Sequence, residues 1–297
     1  MRLPLSRIDP ALYDQTGGDS DPTLQLRYLG TAGFVLEGGD RTVVIDPFLS
    51  RPGLADTLLK PLVPDADRLR RYIPKADEVL VGHAHYDHVL DAPVLCQQTG
   101  ARFIGSHSSC NVARAAGLPE AQIVETMGRE DIACGEKVVA RGLPSRHGRV
   151  YFGRVTIPGR IETPPPWPPR LRDLPHGLVL NWHLDVDGVK VVHVDSADFI
   201  DKELDGHTCD VLCLCAIGRN WRPGYTATAI AKLRPRYVVA CHWDFFGVPY
   251  EDHPLLLPGV DLPGFVDEID RCGATPIVLP FEGRFGVARQ PEGVEGA

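Results

Sequence analysis

"VGHAHYDHVLDAP", residues 81–93, places three histidines and an aspartate within six positions: His83, His85, Asp87 and His88. In a chain with only 11 histidines among 297 residues, chance predicts roughly 0.001 such hexads. A solvated polar loop with incidental histidines is the bland alternative, and accident explains the spacing poorly. His83 and His85 stand two apart at the end of the apolar run "DEVLVGH". In extended geometry both point to one side and can share one metal ion. Asp87 and His88 come as the chain turns away, which suits them to a second ion beside the first. Four donors in one loop cannot close two sites, so further ligands have to arrive from elsewhere in the chain.

Candidates recur just past other β-type runs. "EKVVARGLPSRHG" leads into His147, "VKVVHVDSAD" ends at Asp195, and "RYVVACHW" delivers His242. Further strands are expected at "LQLRYLG", "GFVLEGG", "RTVVIDP", "GLVLNWHLDVDG", "DVLCLCAIG" and "TPIVLPF", with hairpin turns at Gly38-Gly39-Asp40 and Asp187-Gly188. Helical patterns fall at "APVLCQQTG", "SSCNVARAAG", "YTATAIAKLRP" and "PGFVDEIDRCG". Strands interleaved with helices, and metal-seeking residues at strand ends, are the pattern of catalytic loops in layered α/β folds.

Composition narrows the function. With 43% hydrophobic and 24% charged residues the chain reads as an ordinary soluble globular protein. A net charge of −8 argues against a general nucleic-acid binder. No run approaches the roughly 18 apolar residues of a membrane span, and residues 1–25 lack the apolar centre of a signal peptide. Eight scattered cysteines fit reduced thiols, so a cytoplasmic protein without integral membrane segments is expected, with a homo-oligomer left open. The cluster "CDVLCLC" is expected to be buried strand packing. The histidines at 107, 176, 183, 193, 207 and 253 show no ligand pattern; His183 and His193, inside strand-like runs, are expected to be structural, and His107, after a strand in "IGSHSS", is left open as a residue that reaches the pocket.

The ungapped HxHxDH hexad, followed by a single His, an Asp and a His in that order, resembles the metallo-β-lactamase-fold hydrolases. "YLGTAGFVLEGGDRTVVIDPFLS" and "GRNWRPGYTATAIAKLRPRYVVACHW" are most similar to the ascorbate-6-phosphate lactonase-like branch, and "HYDH" is shared with N-acylphosphatidylethanolamine phospholipase D-like members. The resemblance implies an α/β fold, the four-layer αββα sandwich, over residues 23–290, preceded by a lead-in at 1–22. It assigns His83, His85 and His147 to one divalent ion and Asp87, His88 and His242 to another, with Asp195 bridging them and Asp46 supporting a ligand through a His N–H. Two cations sharing a water lower its pKa toward about 7, so the bridging hydroxide becomes the nucleophile, with Asp87 and Asp195 as catalytic residues. Zinc is the favoured metal, and manganese or iron tolerates the same donors. Gly82 departs from the family, which often carries Thr or Ser there.

The implied reaction is hydrolysis of a lactone, ester or amide in a small, partly apolar substrate. The alternatives are phosphodiester cleavage, a di-iron redox protein, disfavoured because no flavin-binding domain follows, and a non-catalytic scaffold. The proline-rich stretch 156–177, with seven prolines, is expected to form a stiff loop or lid over the pocket with Trp167 facing the substrate. Arg219, Asn220, Trp221, Tyr225 and Trp243 are further expected substrate contacts, since they follow strand ends.

Overall fold

The computed structural model describes residues 5–13 and 17–290. Seven strands alternate early in the chain: β1 (Gly17–Gly18), β2 (Leu24–Gly30), β3 (Gly33–Gly38), β4 (Arg41–Ile45), β5 (Glu78–Leu80), β6 (Arg102–Gly105) and β7 (Ile123–Glu125). The next seven are β8 (Asp131–Ala133), β9 (Val138–Ser145), β10 (Val179–Val186), β11 (Val189–Val194), β12 (Val211–Cys215), β13 (Tyr237–Cys241) and β14 (Thr275–Ile277). The last, β15 (Arg284–Val287), returns to the first sheet. Among the described residues the first sheet runs β1-β15-β2-β3-β4-β5-β6-β7 and the second β14-β13-β12-β11-β10-β9-β8.

Strand periodicity builds two cores. Phe34, Leu36, Val43 and Ile45 turn inward to meet Trp182, Leu184 and Val191 of the second sheet. The residues between them, Val35 and Val44, turn outward onto a separate cluster with Leu69, Leu95, Phe103 and Val112. Helices Ala66–Tyr72, Ala92–Thr99 and His107–Ala115 contribute to that outer cluster, while Tyr225–Leu233 and Leu262–Arg271 pack their apolar residues on the second sheet. The result is the expected αββα sandwich. Asp187 and Gly188, with φ of 51° and 87°, make the tight turn between β10 and β11, as a primed hairpin turn requires.

Of the expected lead-in, residues 1–4 and 14–16 lie outside the described residues. The rest packs against the sandwich. Ile8 is buried, Arg7 bridges to Leu255, and Gly17–Gly18 pairs in parallel with β15. No helix among the described residues is long and apolar enough to cross a membrane. All of Cys209, Cys213, Cys215 and Cys241 are buried, and burial raises their thiol pKa values.

One buried network fixes the edge where strands end. Arg51 Nη2 donates to Asp244 Oδ2 at 2.7 Å, and both side chains are fully enclosed. Asp244 Oδ1 accepts from the Thr31 backbone N–H at 2.7 Å and from the Tyr28 hydroxyl at 2.8 Å. The Thr31 carbonyl in turn accepts the backbone N–H of His242 at 2.5 Å. Removing one member of a buried ion pair strands the other charge, which costs about 3–5 kcal/mol. Asp244→Ala should therefore lower unfolding free energy by about that amount in urea titration, and Arg51→Met combined with Asp244→Leu should recover most of the loss.

Candidate metal centre

Most of the residues proposed from the sequence lie just past the C-terminal end of a strand. Asp46 follows β4, His83 follows β5, His147 follows β9, Asp195 follows β11 and His242 follows β13. Asp87 and His88 lie on a single helical turn, Tyr86–Val89, which His85 begins as its N-cap. Adjacent strands therefore bring residues far apart in sequence to one edge of the sandwich.

There they form adjoining clusters. The ligand atoms of His83, His85 and His147 lie within 4.8 Å of one another, as do those of Asp87, His88 and His242. Asp195 joins the two, grouping with His83 and His88. An ion bonded at 2.0–2.3 Å can hold donors up to about twice that far apart, so each cluster has the spread of one coordination shell.

Hydrogen bonds on the far side of each ring set which nitrogen faces inward. His147 Nδ1 donates to the Gly148 carbonyl at 2.7 Å, His85 Nε2 to Ile157 O at 3.3 Å, and His88 Nδ1 to Asp46 Oδ2 at 2.9 Å. His85 and His147 then turn a lone pair toward their cluster, and His88 turns its Nε2 toward its own. His83 pairs through Nδ1 with Asp195, and its Nε2 comes 3.0 Å from His85 Nδ1. The two ring nitrogens are close enough to share a proton or to turn toward one cation, and nitrogen and oxygen donors suit a divalent metal. The residues fit the metal that the fold implies.

Charge supports the same fit. Asp46, Asp87 and Asp195 are all buried, and uncompensated carboxylates in a dry site are costly. Burial alone would raise Asp87, but His88 and His242 hold it below the usual carboxylate range, His242 Nε2 lying 3.2 Å away. Burial would likewise raise Asp195, yet His83 and His88 pull it well below. Burial drives His83 well below the ordinary histidine value and brings His85 to about 3 and His147 to about 4, so all three are neutral, as ligands must be. His88 goes the other way. Burial opposes its charge, but Asp195, Asp87 and Asp46 around it keep it protonated well above the usual range.

Gly82 has a steric reason to differ from the family's Thr or Ser. Its N–H donates to Asp46 Oδ1 at 2.8 Å, and a Cβ there would collide with the Asp195 carboxylate. His242 and Asp46 hold left-handed backbone angles, φ of 53° and 43°, strain of the kind kept at functional sites.

The donors open into a cleft of about 360 Å³ lined by Leu54, Leu58, Tyr86, Tyr151, Ile157, Leu171 and Phe246. Thr156, Ile157 and Leu171 come from the proline-rich stretch, which is anchored where His85 donates to Ile157 O and the Ala84 N–H to His176 O. Trp167 is not on the cleft. Its indole is half-buried against the outer apolar cluster, where that large surface is better shielded from water. The other expected substrate contacts also lie elsewhere. Arg219, Asn220 and Tyr225 line a separate cavity of about 410 Å³, because Arg219 is drawn to Glu268 and lies over the Phe265 ring. Trp221 is exposed beside Gly153, and Trp243 is enclosed in the core, stacked on Phe281.

Sequence reasoning missed His176, whose ring stacks on His147 with centroids 5.4 Å apart and lies 5.7 Å from His85. Its place at the end of the proline-rich stretch, just before β10, was the available signal. It also missed Tyr86 and Tyr151, whose rings line the cleft near Asp87.

The chain matches the profile of the beta-lactamase superfamily domain over residues 25–242. It belongs to that superfamily. This member has the metallo-β-lactamase fold. It is 28% identical over 233 residues to a UPF0173 metal-dependent hydrolase of Pyrobaculum islandicum, covering 77% of this chain and 88% of that protein. Igni18, a metallo hydrolase from Ignicoccus hospitalis, superposes with a TM-score of 0.59 at 19% identity, over 88% of this chain and 96% of its own. CmlA, a diiron β-hydroxylase from Streptomyces venezuelae, gives 0.55 at 16% identity, over 89% of this chain and 54% of its own. Likenesses this distant speak for the fold alone.

Two outcomes should follow for this superfamily member. Because His83, His85 and His147 are already neutral at pH 7 while the His88 cluster holds a proton, filling the first cluster should release no proton from its ligands and filling the second about one. Zinc calorimetry in buffers of different ionisation enthalpy reads that difference. Asp46→Asn, which weakens the partner of His88, should cut metal affinity by about 10–100-fold, measured by competition with a chromogenic chelator.

Proposed function

We propose that this protein is a metal-dependent hydrolase that holds two divalent cations, zinc foremost, and cleaves a lactone, ester or amide bond in a small, partly apolar substrate. The observation that carries this reading is the pair of adjoining buried donor clusters opening into an apolar cleft. When bound, the cations would polarise the substrate carbonyl and lower the pKa of a shared water toward about 7, providing a hydroxide nucleophile.

The chain's own residues supply the rest. His83, His85 and His147 would hold one ion, Asp87, His88 and His242 the other, and Asp195 would contribute to both. Asp46 orients the His88 ring through its Nδ1–H. Asp87, ionised and facing the cleft, would orient the nucleophile or receive the proton released as it forms. Leu54, Leu58, Leu171 and Phe246 bind the apolar part of the substrate and exclude water from the bond being broken. Residues 156–177 act as a stiff wall or lid, which the lining positions of Thr156, Ile157 and Leu171 support.

Among the described residues no lysine or arginine lines the cleft. Phosphate recognition draws on such cations, which favours acyl over phosphodiester substrates and leaves the lactonase-like branch ahead of the phospholipase-like one. A cytoplasmic setting belongs to the same reading, supported by free cysteine thiols that are all buried or half-buried. Zinc-loaded protein should hydrolyse uncharged aryl esters or lactones. Asp195→Ala, or exhaustive chelation, should reduce turnover by about 10²-fold or more while far-ultraviolet circular dichroism stays unchanged. Full turnover by metal-free protein would overturn the reading, and metal analysis that finds iron in place of zinc would turn it toward redox chemistry.

A further inference from the structure

The mouth of the cleft is surrounded by side chains that water does not favour. Phe152 is 94% exposed, Leu59 73% and Leu58 62%. Leu54, Tyr151 and Trp221 are exposed as well. They share one face. Leu54, Leu58 and Tyr151 line the cleft itself, Leu59 and Phe152 adjoin them in the chain, and Trp221 packs over Gly153, where a Cβ would come within 2.8 Å of the indole. Phe152 holds a left-handed backbone, φ 57°, at the tip of its loop. A contiguous apolar patch of this kind marks an interaction site on a soluble protein.

The segment that carries Tyr151 and Phe152 is basic, against the character of the molecule. Residues 146–172 carry six arginines and one carboxylate, Glu162, in a chain whose net charge is −8. Arg146, Arg149, Arg154 and Arg160 are exposed, and among the described residues no carboxylate lies within ion-pair distance of any of them. Exposed arginines elsewhere, such as Arg129 and Arg70, are paired with Glu203 and Asp67. Arg170 Nη1 donates to the Leu59 carbonyl at 2.9 Å, which fixes the basic stretch against the apolar helix Leu54–Leu59.

We propose that this face docks on an anionic lipid surface, with Phe152, Leu58 and Leu59 entering the headgroup layer and the unpaired guanidinium groups meeting lipid phosphates. The charge complements an anionic bilayer, and the apolar groups find there an environment that a nucleic acid does not offer. The cleft mouth would then open toward the membrane, so that an apolar substrate enters from the lipid rather than through water. The inference stands on exposure and charge, independently of which bond the metal centre cleaves.

Co-sedimentation of the full chain with vesicles tests it. Vesicles of phosphatidylcholine containing about one-third phosphatidylglycerol should bind at least about tenfold more tightly than phosphatidylcholine alone, and about 0.5 M salt should remove most of that difference. Phe152→Glu and the double change Arg154→Glu with Arg160→Glu should each weaken binding about fivefold or more, with melting temperature and metal content unchanged. Absence of binding to the anionic vesicles, equal binding to both compositions, or wild-type binding by Phe152→Glu would overturn the proposal. So would a dimer in analytical ultracentrifugation that Phe152→Glu dissociates, because the face would then be a contact between two copies of the chain.

Discussion

The architecture turns on burying three carboxylates, Asp46, Asp87 and Asp195, at one edge of a β-sandwich. Nothing in an apolar interior tolerates that charge without partners. The surroundings are arranged accordingly. The Gly82 N–H and His88 serve Asp46, the Asp195 N–H is fixed by the Asn181 amide oxygen at 3.1 Å, and His242 and His88 flank Asp87. A single segment after β4 carries much of the bracing. Asp46 holds the histidine loop, Ser50 and the Leu49 and Ser50 backbone donate to Asp91 beyond the metal-facing turn, and Arg51 reaches Asp244 beside the last histidine.

That bracing explains where the backbone is strained. Thr31, Asp46, Arg51 and His242 all take left-handed angles, although none is glycine. Such conformations cost about 1–3 kcal/mol each, and each of these residues is tied into the buried network around the donors. The rest of the sandwich has to over-determine them, and its two cores supply the packing that does so.

The sequence made the sandwich and its donor edge legible for a specific reason. Metal donors crowd a hexad at fixed spacing, and strands announce their ends by the switch from Val- and Leu-rich runs to Gly, Asp and His. The cleft walls carry no such signature. Leu54 and Leu58 stand on a six-residue helix too short to show a period, so nothing in the chain marked them. Trp167 was expected at substrate as part of the proline-rich lid and Trp243 because it follows a strand end, yet packing places both away from the cleft. Large indoles gain more from the apolar clusters than from a half-wet cleft. His176 reaches His147 only because the proline-rich stretch folds back, a path that composition alone does not trace. The value of Gly82 was hidden for the same reason, since its close neighbour Asp195 is far away along the chain.

The bond from the His242 backbone to Thr31 closes the first hairpin turn against the last donor. Along the chain, the donors of the first cluster are complete once His147 has been made, whereas the second waits for His242. A polypeptide growing from its N-terminus therefore acquires its two clusters at separate moments, and the second forms only after the late strand β13 has joined its sheet. The His242 cluster therefore cannot assemble before β13 is in place, and a chain truncated before β13 would retain the three imidazoles of the first cluster with no second cluster across from them.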